Sequence, residues 1–298
     1  MPSPANTNRL GGATSPYLRQ HADNPVHWQP WDETALAAAR ERDCPILLSI
    51  GYSACHWCHV MAHDCFEHPA IAEQMNRDFV NIKVDREERP DLDRIYQTAH
   101  QLLVGRGGGW PLTVFLTPEQ VPFFAVPYFP AEPREGMPGF GDVMDRIIRV
   151  WQDHRDEITE QNADLQRVMD RLSAGTAGAG LPGSDALEAA RLQLGERFDP
   201  AHGGFGDAPK FPQPVALERL LRHYARSQQR GEADRGALHM ACHTLRRMAL
   251  GGIYDQVGGG FARYSVDGEW MIPHFEKMLS DNALLIGAAT DAYRATGD

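Results

Sequence analysis

What most constrains the fold of this 298-residue sequence is a cysteine pair and the apolar run just ahead of it. Pro45-Ile46-Leu47-Leu48-Ser49-Ile50 has the length and composition of a strand buried on both faces. Gly51-Tyr52-Ser53-Ala54 then turns the chain, and Cys55-His56-Trp57-Cys58 opens a helical stretch. A Cys-x-x-Cys alone is only moderately specific, but strand, turn, cysteine pair and helix in that order is the context a redox dithiol requires. Thiols at a helix start face unpaired backbone N–H groups, which favour the thiolate. The pattern predicts Cys55 as an exposed attacking sulfur and Cys58, one turn in, as its resolving partner. His56, when protonated, stabilises the thiolate further and makes the pair more oxidising. Trp57 is expected to shape the rim against a partner peptide.

The elements around the pair follow from periodicity and punctuation. A helix is expected over Asp32 to Asp43 with Asp32 as N-cap, and another over Ala70 to Phe79 behind Pro69. Val80-Asn81-Ile82-Lys83-Val84 alternates as a strand. From Pro90, Leu92, Ile95, Tyr96, Ala99, Leu102 and Leu103 share a helical face, which the glycines at 105 and 107–109 end. Leu112 to Leu116 and Val121 to Val126 read as an antiparallel hairpin across Pro118-Glu119-Gln120, and a helical stripe runs from Phe140 to Trp151. Parallel strands joined by helices, then a hairpin, give a mixed sheet with helices on both faces, the thioredoxin-like order. Folds of that kind place a cis proline beside the dithiol, so Pro111, just before the third strand, is expected to be cis and to face the sulfurs.

Residues 173–184 are small and Gly-rich and read as a linker. It separates a thioredoxin-like domain with an N-terminal extension, 1–172, from an all-helical region, 185–298, in which no strand pattern is visible.

Five cysteines are too few, and odd in number, for a disulfide scaffold, and four of them lie between Cys44 and Cys65. That clustering points to thiol chemistry or metal binding. Cys242 lies on an apolar helix face and reads as core; Cys44 reads as structural. A formal charge of −11 argues against nucleic acid or an anionic membrane as partner. The opening residues Met1 to Leu10 lack the apolar stretch of a signal peptide, no segment is long and apolar enough to span a bilayer, and a cytoplasmic location is expected. The charge run from Asp85 to Asp93 reads as a solvated loop and helix start, with an acidic partner-selecting rim as its alternative.

Longer motifs narrow the reading. Asn24-Pro25-Val26-His27-Trp28, Ser53 to Met61 around the cysteines, Lys83 to Asp91, Gly108-Gly109-Trp110-Pro111-Leu112-Thr113, Gly251 to Asp255 and Pro273 to Leu279 together resemble the spermatogenesis-associated, thioredoxin-like family. The resemblance covers nearly the whole chain. It implies a thioredoxin-like domain followed by an α/α toroid related to sugar epimerases and six-hairpin glycosidases, without an established reaction. Two positions depart from pattern: Cys65 stands where the family tends to carry Ser, and Ser49 stands where typical thioredoxins carry a buried Asp that assists proton transfer. The region 185–298 is short for six hairpins of two ordinary helices each, so the toroid is expected to be incomplete and the chain a fragment.

These residues predict a dithiol–disulfide oxidoreductase acting on a protein or small-thiol partner, with Cys55, Cys58, His56, Trp57 and Pro111 as its site and no cofactor or metal. Three alternatives use the same region differently. Cys55, Cys58, His59, His63 and Cys65 have the ligand chemistry of a zinc or copper site. Cys55-x-x-Cys58-His59 matches a c-type haem attachment pattern. The pair could also be kept for packing or partner binding without turnover. In the helical region, His274, Glu276, Asp281 and Asn282 form a polar cluster beside the Gly-rich segment from Val257 to Phe261. A carbohydrate-handling cup would use His274, Glu276 and Asp281 there, with paired carboxylates as acid and base and His202 on the rim. Helix capping and turns are the competing account of the same residues.

Overall fold

The computed structural model describes residues 6–134, 136–173 and 183–298, so most of the 173–184 linker lies outside the described residues. The chain divides into two compact units, Met1–Ala177 and Gly178–Asp298.

In the first unit, α1 (Pro16–Gln20) and α2 (Glu33–Arg42) precede β1 (Ile46–Gly51). Ser15 and Asp32 cap the two helices by accepting from Leu18 N and Ala35 N, which satisfies N–H groups that have no helical partner. After β1 come α3 (His56–Met61), a π-turn over Ala62–Phe66, α4 (Pro69–Asp78), β2 (Val80–Asp85) and α5 (Pro90–Val104). Pro69 and Pro90 stand at the first positions of their helices, where the missing N–H costs nothing. Then follow β3 (Leu112–Leu116), β4 (Pro122–Val126), α6 (Phe140–Asp153) and α7 (Arg155–Ser173). The sheet has the order β2-β1-β3-β4, with β1 parallel to β2 and antiparallel to β3, and β3 antiparallel to β4. This is the thioredoxin-like mixed sheet that the element order predicts.

β1 is central and buried at every position, which explains its unbroken apolar run. Ile46, Leu48 and Ile50 pack with Ile82, Val84, Leu112, Val114 and Leu116 under Ala35 and Ala39 of α2 and Leu92 and Tyr96 of α5. By strand alternation Ser49 and Gly51 belong to the opposite face, next to Lys83 and Asp85 of β2. Trp28, Phe66 and Tyr17 cover Lys83 on that face. One face is therefore wholly apolar. The other carries the polar residues.

The second unit is helix-rich: α8 (Asp185–Glu196), α9 (Pro214–Gln229), α10 (Arg235–Leu250) and α11 (Leu279–Thr296). Leu217, Leu220, Leu221, Met240, Met248 and Leu285 build its core around the fully buried Trp270. Two short strands, β5 (Tyr264–Ser265) and β6 (Pro273–His274), pair antiparallel, where the sequence shows no strand pattern. Two-residue strands are too short for any alternation to be visible.

Candidate functional site

The site grows from the end of β1. The strand stops at Gly51, Tyr52-Ser53-Ala54 turn, and Cys55 becomes the N-cap of α3. Its sulfur accepts from Cys58 N at 3.2 Å and is joined to Cys58 in a disulfide of 2.05 Å. Contrary to expectation, Cys55 is not exposed: it is 3% accessible and Cys58 1%. Capping and the disulfide turn its sulfur inward. What the site shows to solvent is His56 and Trp57, the latter with its ring against Tyr128.

Next to the end of β1 runs the segment before β3. Leu112 pairs with Ile50, which brings buried Pro111 to the end of β1. The Trp110–Pro111 bond is cis, as expected. Trp110 is held from two sides. Its Nε1 donates to Asp93 Oδ1 at 2.8 Å, and the Arg86 guanidinium lies 4.1 Å from its ring centroid. Arg86 also pairs with Asp93 at 3.2 Å, faces the Tyr52 ring and donates its backbone N–H to Gly51 O. The run Asp85 to Asp93 is therefore solvated in its middle, between Glu87 and Asp91, and not at its ends. Asp85 and Asp93, 5% and 6% accessible, are structural acceptors, and Asp85 takes a 2.6 Å hydrogen bond from Ser15 Oγ. The residues that brace the site came from a segment read as surface. The available signal was Lys83 and Asp85 alternating with Ile82 and Val84, a polar inner face within a buried strand.

Beneath the disulfide lies a closed polar pocket in an aromatic wall. Lys83 Nζ, at the register partner of Ser49, donates to Ser49 Oγ at 3.0 Å. The rings of Phe66, Trp28 and Tyr17 surround it, with centroids at 4.3, 4.9 and 5.3 Å. Full burial holds the Lys83 ammonium pKa well below its ordinary value, because the charged form loses its water. His21, beside it, is pushed down to about 2 by burial first and the Lys83 charge second. Asn24 Oδ1 meets the His21 ring at 2.9 Å and accepts from Trp28 Nε1 at 3.3 Å. The motif Asn24 to Trp28 is thus the wall of this pocket. Where a typical thioredoxin has a carboxylate, this chain has Ser49 answering a buried lysine.

The metal-type residues do not gather. His59 Nε2 meets Ser53 O at 2.7 Å, His63 Nδ1 meets Glu67 at 3.1 Å, and buried Cys65 donates to Phe129 O at 3.6 Å. Among the described residues no group of three or more His, Cys, Asp or Glu side chains is placed to hold a metal ion. In the second unit, His274 Nδ1 and Glu276 Oε2 lie 2.7 Å apart, whereas Asp281 pairs with Arg263 at 2.7 Å. Asn282 brackets the backbone of Phe261 at 2.7 and 3.0 Å. His202 receives Trp270 Nε1 on its carbonyl and lines a surface cavity of about 460 Å³ with Asp199, Asp267 and Glu269. Asp199 there is committed to the buried Lys210 Nζ at 2.6 Å.

The family described as Thioredox_DsbH, protein of unknown function DUF255, matches residues 7–170. The chain belongs to this family. The DUF255 match takes in α1 to α7 up to residue 170, with the disulfide, Pro111 and the pocket below them. Beyond it, the whole chain is similar to spermatogenesis-associated protein 20. It is 45% identical to the Homo sapiens protein over 98% of this chain and 37% of that one, and 44% identical to that of Rattus norvegicus over 100% and 38%. The chain thus spans under two-fifths of these relatives' length. Among solved structures, a DsbH oxidoreductase is similar at 15% identity and a TM-score of 0.33, covering 43% of this chain and 86% of that one. A thioredoxin from Thermus thermophilus is similar at 22% identity and the same score, over 43% and 90%. No helix among the described residues is long and apolar enough to cross a membrane.

Proposed function

We propose that the DUF255 unit is a dithiol–disulfide oxidoreductase that exchanges its Cys55–Cys58 disulfide with a protein or small-thiol partner. The observation that carries this is the placement of the disulfide: at the end of the central strand, at the start of α3, with Cys58 N–H directed at Cys55 Sγ and Pro111 at the neighbouring strand end. A backbone N–H on sulfur favours the thiolate, the form that attacks and leaves in exchange. In the reducing direction the Cys55 thiolate attacks a partner disulfide and displaces one partner thiolate. Cys58 then attacks Cys55 Sγ in the mixed disulfide, re-forming the intramolecular bond and releasing the second partner thiol. Two electrons pass to the partner. Exposed Trp57 and the braced Trp110–Pro111 segment supply apolar and backbone surface for an extended peptide. The site needs no cofactor for this exchange, and the helical unit is read as a partial α/α toroid on the family resemblance.

The test is reduction of insulin disulfides by the whole chain with dithiothreitol as electron source. Cys55→Ser and Cys58→Ser are expected to abolish the acceleration, and Glu276→Gln to leave it unchanged. A fully active Cys55→Ser chain overturns the assignment. Loss of sugar binding in Glu276→Gln, with Cys55→Ser binding normally, supports the carbohydrate-handling alternative instead.

A further inference from the structure

Tyr17, on α1, is wholly buried, yet its Oη has no hydrogen-bond partner among the described residues. A buried hydroxyl left unpaired destabilises a fold that phenylalanine would serve equally well by packing. Its surroundings supply a reason. A Cβ placed on Gly51 would lie 2.2 Å from Tyr17 Oη and 2.7 Å from Cys58 Sγ. Glycine is required at position 51 because a Cβ there would clash with both the hydroxyl and the sulfur. In the disulfide, Cys58 Sγ is a poor acceptor. Once reduced, it bears the thiolate electron pair and accepts strongly.

We propose that Tyr17 is the hydrogen-bond donor that stabilises the reduced Cys58 sulfur and thereby sets the redox balance of the pair; this rests on the oxidoreductase reading. When a small thiolate attacks Cys55 Sγ, the S–S bond breaks and its electron pair stays on Cys58 Sγ. The Tyr17 O–H donates to that sulfur, and the proton remains on the phenol oxygen. Burial, with the Asp85 carboxylate nearby, raises the phenol's pKa and keeps that proton in place. A second small thiolate then attacks the first one's sulfur in the mixed disulfide. Cys55 leaves as thiolate and both protein sulfurs take up protons from solvent as pH dictates. One protein disulfide is reduced and two small thiols become one disulfide.

The experiment equilibrates the whole chain in mixtures of reduced and oxidised glutathione and counts dithiol by alkylation and mass, for wild type and Tyr17→Phe. Melting curves are recorded for each form. Tyr17→Phe is expected to shift the equilibrium toward the disulfide by about tenfold, about 30 mV. The oxidised form should melt no lower than wild type, and the reduced form should lose stability. Equal melting losses in both forms with an unchanged equilibrium make Tyr17 a packing residue and overturn the proposal. If Tyr17→Phe does not fold, global replacement of tyrosine by 3-fluorotyrosine, a stronger donor, should move the equilibrium toward the dithiol, and no movement overturns it. A wild-type chain that forms no Cys55–Cys58 bond at any glutathione ratio overturns the oxidoreductase reading itself, a result distinct from an unshifted variant.

Discussion

Lys83 donates to Ser49 across the paired strands β1 and β2, 3.0 Å from nitrogen to oxygen, with both side chains out of contact with water. Each residue makes sense only through the other. A serine on that strand satisfies the amine without fixing a charge beside it, and burial then pulls the proton off at lower pH than in a free lysine.

That relationship predicts a pH-dependent stability. With its pKa lowered in the fold, Lys83 binds fewer protons in the native state than in the unfolded chain, whose lysine titrates at about 10.4. Stability therefore rises with pH between the lowered native pKa and that value. Urea unfolding followed at a series of pH values from 6 to 10 should show a wild-type rise in stability that Lys83→Met lacks. Parallel pH profiles for the two proteins would mean that Lys83 keeps its charge in the fold.

Asp93 should matter to both stability and exchange. It accepts from Trp110 Nε1 and pairs with Arg86, whose guanidinium covers the Trp110 ring. Asp93→Ala leaves the Trp110 indole N–H without its acceptor and Arg86 without its ion-pair partner, which is expected to cost about 2 kcal/mol in urea unfolding. It also frees the Trp110–Pro111 segment, so insulin reduction should slow more than stability alone explains at a temperature where the variant is fully folded. Unaltered turnover there would show that the Asp93–Trp110 bond does not position the site.

Cys65 should be inert although it lies close in sequence to the Cys55–Cys58 pair. Burial, with Asp64 adding to it, pushes its thiol up to about 12, so the thiolate is scarce at pH 7–8. Iodoacetamide applied to the reduced native chain, followed by peptide mass mapping, should label Cys55 ahead of Cys58 and spare Cys65 until urea is added. Early labelling of Cys65 would place it among the working thiols.

The position of the disulfide, the strand that delivers it and the helix it opens were legible because each rests on local rules: a both-faces-buried run, a turn, a cysteine at an N-cap. The helix starts at Pro69 and Pro90 and the Asp32 cap were readable for the same reason. The exposure expected for Cys55 failed because accessibility is set by where the sulfur points once it caps α3 and bonds to Cys58. The charge run Asp85 to Asp93 misled because its two ends face inward while its middle meets water.

By itself the sequence determined the thioredoxin-like order of elements, the position of the cysteine pair and the proline before β3, since periodicity, capping and turn chemistry act over a few residues. Only the tertiary structure decided which polar groups lie next to that pair. Tyr17, Ser49, Gly51, Lys83 and Cys58 are spread over α1, β1, β2 and α3, and they meet only because strand pairing sets Ser49 opposite Lys83 and helix packing sets Tyr17 against Gly51. A side chain's burial, its pKa and its partner depend on what crosses above it. That is a property of packing between distant segments, and it has no signature within a single one.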